Sequence, residues 1–253
     1  MRGSAVRTAG TMRPPDRADA STLRRFTRAE RWVHRSTAIL MGICLLTAAC
    51  LYVGPLAVLV GRRSLVKTIH VYSGMALPLP LLLGWLSAAL RADVRRLNRF
   101  SPHDWEWLRS RDRRSGRIPV GKFNAGQKLN AAFIAGAIMV MLGSGLITRF
   151  PAPWPLTWRT GATFVHDWLA LAVLVVVLGH LAYAQRDPVA RTGMRTGVVP
   201  ADWASREHRA WADLEGGEQP GAPGNGRVGS VDRGGTQTES GDASTASAPP
   251  PHP

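Results

Sequence analysis

The chain alternates between long apolar runs and basic polar runs. Four apolar runs carry few charges and reach about 18 residues or more, the length at which an α-helix crosses the hydrocarbon core of a bilayer. The pattern predicts an all-α integral membrane protein, a four-helix bundle. The predicted spans are 32–53, 66–90, 129–147 and 162–184.

The two ends of the chain have a different composition. Residues 1–22 are rich in Arg, Pro, Ala and Thr without periodicity, and residues 215–253 are rich in Gly, Pro and Ser. Neither segment has enough apolar residues to form a core. We therefore expect disordered N- and C-terminal tails on either side of a membrane domain at 23–214.

The formal net charge of +15 is unevenly distributed. A basic balance can indicate nucleic-acid binding, but the apolar spans favour a membrane partner, and we expect no nucleic acid. Lys and Arg number 11 in the loop 91–128, and five in the other two inter-span loops together. Because short positive loops stay in the cytoplasm, we expect a multi-pass protein of the cell membrane with this loop and both termini cytoplasmic.

Four histidines lie within or beside the predicted spans, where an ionisable group is costly and is a functional candidate. The direction of each span gives the depth of its histidines. His34 and His180 fall near the cytoplasmic face, and His70 and His166 near the outer face. The topology thus sorts them into two pairs.

The spacing within the fourth span indicates what the pairs hold. His166 and His180 are 14 residues apart, close to four helical turns, so they share one helix face about 21 Å apart along the axis. One partner at each depth is the arrangement of two bis-histidine haem groups, which transfer single electrons. The four histidines are therefore the candidate axial ligands of haem iron.

Two other chemistries use buried histidines. A structural zinc site needs about four ligands in one place, whereas these pair off at two depths. A proton relay would typically add Asp or Glu within the spans, and Asp167, at the outer edge of the fourth, is the acidic residue close to it. The relay is the stronger rival.

Other residues of the spans have ordinary explanations. Cys44 and Cys50 lack the spacing of covalent haem attachment and are expected to pack. Gly42 and Gly74 either admit a flat ligand or serve helix packing. Arg31 and Arg35 suit the membrane edge better than haem propionates. The remaining histidines are expected to be solvated: His103, His208 and His252.

The stretch VGKFNAGQKLN precedes the third span at the depth of the His34–His180 pair. Its neutral polar groups, Asn124 and Gln127, suit a hydrogen bond to a carbonyl ligand. Simple N-capping of the helix by Asn124 explains them equally well.

Five short motifs together resemble one family over about residues 25–214. They are RFTRAERWVH, IHVYSG, GKFNAGQK, the His-x13-His of the fourth span and WASREHRAWADLE. In order and spacing they are similar to the gamma subunit of respiratory formate dehydrogenases. That di-haem b-type cytochrome family also includes the cytochrome subunits of nickel–iron hydrogenases, but GKFNAGQK matches the formate dehydrogenase branch more closely.

The resemblance implies roles for individual residues. His34 and His180 would bind the cytoplasmic-side haem, and His70 and His166 the outer haem. Electrons would come from an iron–sulfur beta subunit and leave to menaquinone, with Asn124, Gly126 and His180 as quinone contacts. Formate oxidation would belong to a catalytic alpha subunit.

Two alternatives remain at this point. In the first, the chain is the cytochrome b subunit of a hydrogenase or of another quinone-linked oxidoreductase. Alternatively, it is a haem-free membrane anchor or sensor whose tails bind partners.

Overall fold

A computed structural model describes residues 22–113 and 115–217 of the chain. In chain order the elements are β1 (Thr22–Arg24), α1 (Arg28–Tyr52), α2 (Gly54–Val60), α3 (Arg63–Ala76), α4 (Leu79–Gly84), α5 (Ala88–Leu97), α6 (Pro102–Arg109), α7 (Ala125–Arg149), α8 (Leu156–Gln185), α9 (Pro188–Thr196), β2 (Val198–Pro200), α10 (Ala201–Glu207) and α11 (Arg209–Gly217). The predicted tails lie outside the described residues, except that 22 belongs to β1 and 215–217 to α11. Regular secondary structure therefore extends slightly beyond both ends of the predicted domain 23–214.

Four helical stretches are long and apolar enough to cross a membrane: Arg28–Tyr52, Arg63–Gly84, Ala125–Arg149 and Leu156–Gln185. Three match the predicted spans but begin four to six residues earlier. Capping boxes explain two of the early starts. Thr27 caps α1 by accepting from the Glu30 backbone, and Asn124 caps α7 by accepting from the Gln127 backbone. Such caps satisfy the free N–H groups of a first turn, so polar residues enter the helix ahead of the apolar run.

The second span is not the single helix predicted at 66–90. It is divided into α3 and α4 at Leu77 and Pro78, and residues from 88 onward belong to the separate helix α5. Pro78 and Pro80 each lack a backbone N–H, so neither can complete the helical ladder. The apolar pattern therefore gave the position of this span but not its interruption.

The long helices form two closely packed pairs. α1 packs against α3, α7 packs against α8, and α3 also contacts α7. Because α1 and α7 run in one direction and α3 and α8 in the other, His34 and the start of α7 lie at one end of the bundle. This end is called the His34 end below, and the opposite one the His70 end.

A small cap of secondary structure covers the His34 end. β1 and β2 pair antiparallel with Leu23 opposite Val199, so the fold contains a two-stranded sheet that the all-α prediction did not include. Val199 packs with Leu23, Trp203 and Trp211 in a buried apolar cluster. The basic segment 91–128, expected as a loop, contains most of α5 and all of α6.

Large apolar side chains cover the outside of the long helices. Leu46, Leu82 and Val175 are each more than 60% exposed. Such contiguous apolar surface is tolerated in a bilayer and not in water. The outward faces of the bundle are therefore suited to contact lipid.

Candidate functional site

The structure brings the four span histidines together in the two pairs expected from their depth. The ring centroids of His34 and His180 lie 6.3 Å apart with an interplanar angle of 51°. Those of His70 and His166 also lie 6.3 Å apart, at 70°. Each pair joins one histidine of α8 to one histidine of the α1–α3 pair.

This separation matches that of two imidazoles on opposite sides of one metal ion. A metal–histidine bond of about 2.0–2.1 Å and about 1.1 Å from nitrogen to ring centre put such centroids roughly 6.2–6.4 Å apart. Aromatic rings in direct edge-to-face contact also have centroids about 4.5–7 Å apart, so the distance is compatible with both arrangements, and the paired depths and the ring tautomers favour a shared metal. Both pairs therefore fit a flat metal-containing ligand between their rings.

The histidines at the His70 end are oriented by hydroxyl groups on neighbouring helices. Nδ1 of His70 lies 2.9 Å from Oγ1 of Thr47 on α1 and 3.2 Å from the Cys44 carbonyl. Nδ1 of His166 lies 3.0 Å from Oγ of Ser144 on α7. Thr47 and Ser144 thus hold the two rings from opposite sides of the bundle.

These contacts determine which ring nitrogen can bind a metal. The Thr47 hydroxyl donates to the Ile43 carbonyl at 2.6 Å, and the Ser144 hydroxyl donates to the Val140 carbonyl at 2.8 Å. Each hydroxyl oxygen is therefore left to accept from a histidine Nδ1–H. A neutral imidazole protonated on Nδ1 carries its lone pair on Nε2, the tautomer that ligates metals.

The packing of the helices also fits a ligand held between them. In the described part of the chain, neither α1 nor α3 packs extensively against α8, although both of their histidines meet α8 histidines. A flat group between the rings would lie between α8 and the α1–α3 pair. Gly145 serves the same arrangement, because a Cβ there would lie 3.3 Å from Cε1 of His166.

The two glycines singled out in the sequence have different surroundings. A Cβ on Gly74 would lie 4.0 Å from Sγ of Cys44, which is ordinary contact between α3 and α1. A Cβ on Gly42 would meet none of the described atoms within 4 Å. An added Cβ would fit at both positions, so close helix packing requires glycine at neither.

Asn124 and Gly126 lie at the start of α7, at the His34 end. Oδ1 of Asn124 accepts from the backbone N–H of Gln127 at 2.9 Å, and the Gln127 side chain accepts from the Asn124 backbone at 3.0 Å. Capping thus occupies Oδ1 of Asn124 and leaves its Nδ2 as a donor. A Cβ on Gly126 would lie 3.2 Å from the Trp107 ring, so Gly126 makes room for α6.

Arg31 and Arg35 both bind the end of α9. Their guanidinium groups donate to the carbonyl oxygen of Arg195 at 2.7 and 2.9 Å. A cation at a helix C-terminus is favoured by the helix dipole. The two arginines therefore tie α1 to the cap at the His34 end.

The expectation that His208 is solvated is wrong. This residue is 2% exposed, and its Nε2 accepts from Arg25 at 2.8 Å while its Nδ1 donates to the Gly121 carbonyl at 2.7 Å. Its partners come from segments 87 and 183 residues away, so no local pattern indicates them. His103 is half exposed beside Glu106, as expected, and His252 lies outside the described residues.

Sequence reasoning also missed Thr47 and Ser144. The only available signal was a hydroxyl residue within an apolar span, and this signal is weak because Ser and Thr commonly bond their own helix backbone. Cys44 and Cys50 carry free thiols. No group of three or more His, Cys, Asp or Glu side chains able to hold a metal ion occurs among the described residues.

Comparison with known protein families agrees with this geometry. A model of the family described as prokaryotic cytochrome b561 matches residues 25–195, which include all four paired histidines. The chain belongs to the prokaryotic cytochrome b561 family. No curated protein matches it.

Membership of the cytochrome b561 family establishes the general role of the molecule. Cytochromes b561 bind haem b, and the four apolar helices make this member a multi-pass membrane protein. The chain is thus a cytochrome b561-type membrane electron-transfer subunit.

Proposed function

We propose that this cytochrome b561 is the membrane subunit of a respiratory formate dehydrogenase, which carries electrons through two haem b groups to menaquinone. The observation that carries the proposal is the pair of equal histidine separations, 6.3 Å at both ends of the bundle. One pair would suffice for a single haem. Two similar pairs on one helix favour two.

In this proposal each histidine would supply one ligand to a haem iron. His34 and His180 hold one haem, and His70 and His166 hold the other. Bound haem supplies one-electron transfer, and two imidazole ligands leave its iron without an open position for oxygen chemistry. Thr47 and Ser144 fix the Nδ1–H tautomer at the His70 end, so that Nε2 faces the metal.

The proposed quinone site lies beside the His34–His180 pair. Nδ2 of Asn124 is free to donate to a quinone carbonyl, since Oδ1 is engaged in capping α7. His180 adjoins the same end, and Gly126 keeps the backbone there close to Trp107. Gly126 thus has a packing role whether or not it also contacts the quinone.

The orientation in the membrane follows from charge. The basic segment 91–128 and both ends of the described chain lie at the His34 end, which the positive-inside rule assigns to the cytoplasm. Electrons would then enter at the outer, His70 end and reach a cytoplasmic quinone site. Such a reaction separates charge across the membrane.

Formate as the ultimate donor rests on the motif GKFNAGQK, which resembles the formate dehydrogenase branch. The chain itself would not act on formate. An iron–sulfur beta subunit would deliver the electrons, and a catalytic alpha subunit would oxidise formate. A hydrogenase is the alternative donor complex, since the wider family includes its cytochrome subunits.

Purification of the intact complex tests these proposals together. Two haem b per chain with a bis-histidine spectrum are expected, and both should be reduced on addition of formate. Reduction by hydrogen and not by formate would favour the hydrogenase alternative. A chain that purifies intact without haem would contradict the proposal that the histidine pairs bind haem.

A further inference from the structure

Two buried carboxyl groups share one buried lysine at the His34 end. Nζ of Lys122 donates to Oε1 of Glu30 at 3.0 Å and to Oδ2 of Asp93 at 2.5 Å. The three residues come from α1, from α5 and from the segment before α7. Their side chains are only 3–7% exposed. Neither haem binding nor quinone binding accounts for this cluster.

Two cations pair with Asp93, the buried Lys122 and the half-exposed Arg96. Glu30 and Lys122 face it from α1 and from the segment before α7, and Arg96 of its own helix binds its Oδ1 at 2.9 Å. Arg25 attracts it from a distance, but donates instead to the Lys122 carbonyl and to His208. Two carboxylates therefore share a single buried ammonium.

Asp93 is the member of the cluster that holds a proton most readily. Both oxygens of Glu30 are engaged, one by Lys122 and the other by the backbone N–H of Thr27. Both oxygens of Asp93 are engaged as well, one by Lys122 and the other by the half-exposed Arg96. Burial, and then a hydrogen bond shared with Glu30, raise the pKa of Asp93 to about 6. Adjacent carboxyl groups commonly separate their titrations in this way.

The cluster has an exposed neighbour on one side and, on the other, residues close in sequence to the proposed quinone site. The side chain of Arg96, next to Asp93, is 52% exposed. On the other side, Glu30 lies one helical turn before His34 on the same face of α1, and Lys122 lies two residues before Asn124.

We propose that Asp93, together with Lys122 and Glu30, relays protons from the cytoplasm to quinone at the His34 end. This inference rests on the proposed function. Reduction of one quinone consumes two electrons, which arrive singly from haem, and two protons. For each proton, the O–H bond of Asp93 breaks as the proton leaves towards the quinone site, an O–H bond forms on a quinone oxygen, and a hydronium ion from the cytoplasm reprotonates the Asp93 carboxylate and becomes water. Asp93 is a relay residue, since nothing places it against the quinone.

The reverse reaction tests the relay in the purified holoprotein. Menadiol is mixed with oxidised protein, and haem reduction is followed by stopped flow from pH 5 to 9. In this direction Asp93 accepts the proton, so it must be ionised. The wild-type rate is therefore expected to rise with a step near pH 6.

The expected result for Asp93→Asn is at least a tenfold slower reduction by menadiol without the step near pH 6. Its haem content, its spectrum and its reduction by dithionite should match the wild type. Asp104→Asn is the matched control, because Asp104 is a second buried carboxylate paired with a lysine, Lys128, at the same end. It should retain the wild-type rate and pH step.

Asp93→Glu keeps a titratable carboxyl group and covers the case in which Asp93→Asn does not assemble. It should retain most of the rate with a displaced pH step. A wild-type rate and pH profile in Asp93→Asn, or an undisplaced step in Asp93→Glu, would overturn the relay while leaving the proposed function intact. If menadiol does not reduce the wild-type haem at all, both the relay and the quinone site are wrong.

Discussion

The hydroxyl of Thr47 on α1 lies 2.9 Å from Nδ1 of His70 on α3. It accepts a hydrogen bond from this Nδ1–H and donates one to the Ile43 carbonyl. The orientation of the His70 ring is thus fixed by a hydroxyl group on a different helix. The tautomer of His70 is therefore determined by the packing of α1 against α3.

Thr47→Val should weaken haem binding at the His70 end without changing the fold, because valine preserves the shape and removes the acceptor. Loss of such an outer contact typically costs about 10- to 100-fold in metal affinity. We expect the lower figure, since the Cys44 carbonyl remains 3.2 Å from the same nitrogen. Haem release to apomyoglobin measures the change.

Thr68→Val is the matched control for this prediction. Its hydroxyl bonds only its own helix, at the Ser64 carbonyl, and it lies two residues from His70. Equal haem release from both variants would mean that Thr47 has no particular role in orienting the ring.

With the proposed two haems bound, single histidine replacements should remove them one at a time. His70→Ala or His166→Ala should lose the haem of the His70 end and retain the other, because the two pairs are separated by about 21 Å along α8. His34→Ala should do the reverse. The haem-to-protein ratio should fall from two to one in each case.

His103→Ala controls for the replacement of a histidine as such, since His103 is exposed and outside the spans. Electron paramagnetic resonance distinguishes which haem remains. A ratio of two in His70→Ala would show that the His70–His166 pair does not ligate haem.

His208→Ala should destabilise the cap at the His34 end. It would leave the buried Arg25 guanidinium without one of its acceptors and the Gly121 carbonyl without a donor. An unsatisfied buried polar group costs about 1–3 kcal/mol. Thermal unfolding of the detergent-solubilised protein should show the loss, and haem spectra at low temperature should be unchanged.

Gly126 offers a test that separates packing from quinone contact. In Gly126→Ala the new methyl group would press on the Trp107 ring at 3.2 Å, which offsets the intrinsic gain of about 1 kcal/mol from replacing a helical glycine with alanine. If packing is its whole role, combining Gly126→Ala with Trp107→Phe should restore wild-type quinol-driven haem reduction. A defect that persists in the double variant would indicate direct contact with the quinone.

The arrangement of the four histidines was predictable because it depends on two regular features, the alternating direction of the spans and the pitch of the helix. Span direction gives the depth of His34 and His70, and helical pitch places His166 and His180 on one face. Pro78 and Pro80 mark the break in the second span in the sequence as well, but hydropathy alone predicts one continuous helix there. Hydropathy reports burial in lipid and is insensitive to where a backbone hydrogen bond is missing.

The partners of Thr47, His208 and Lys122 were not predictable. Each is contacted from a segment between 23 and 183 residues away, and a single sequence contains no record of such distances. The cap shows this most clearly. The pairing of Leu23 with Val199 joins two three-residue strands, each too short to produce a recognisable alternation.

α8 runs without interruption from Leu156 to Gln185, and no proline separates His166 from His180. The regular rise and rotation of the helix therefore fix both the distance and the relative direction of its two imidazoles. Inserting one residue there would swing one ring by about 100° and displace it by about 1.5 Å. Many side chains between the two rings can therefore be exchanged, but the number of residues between them cannot change.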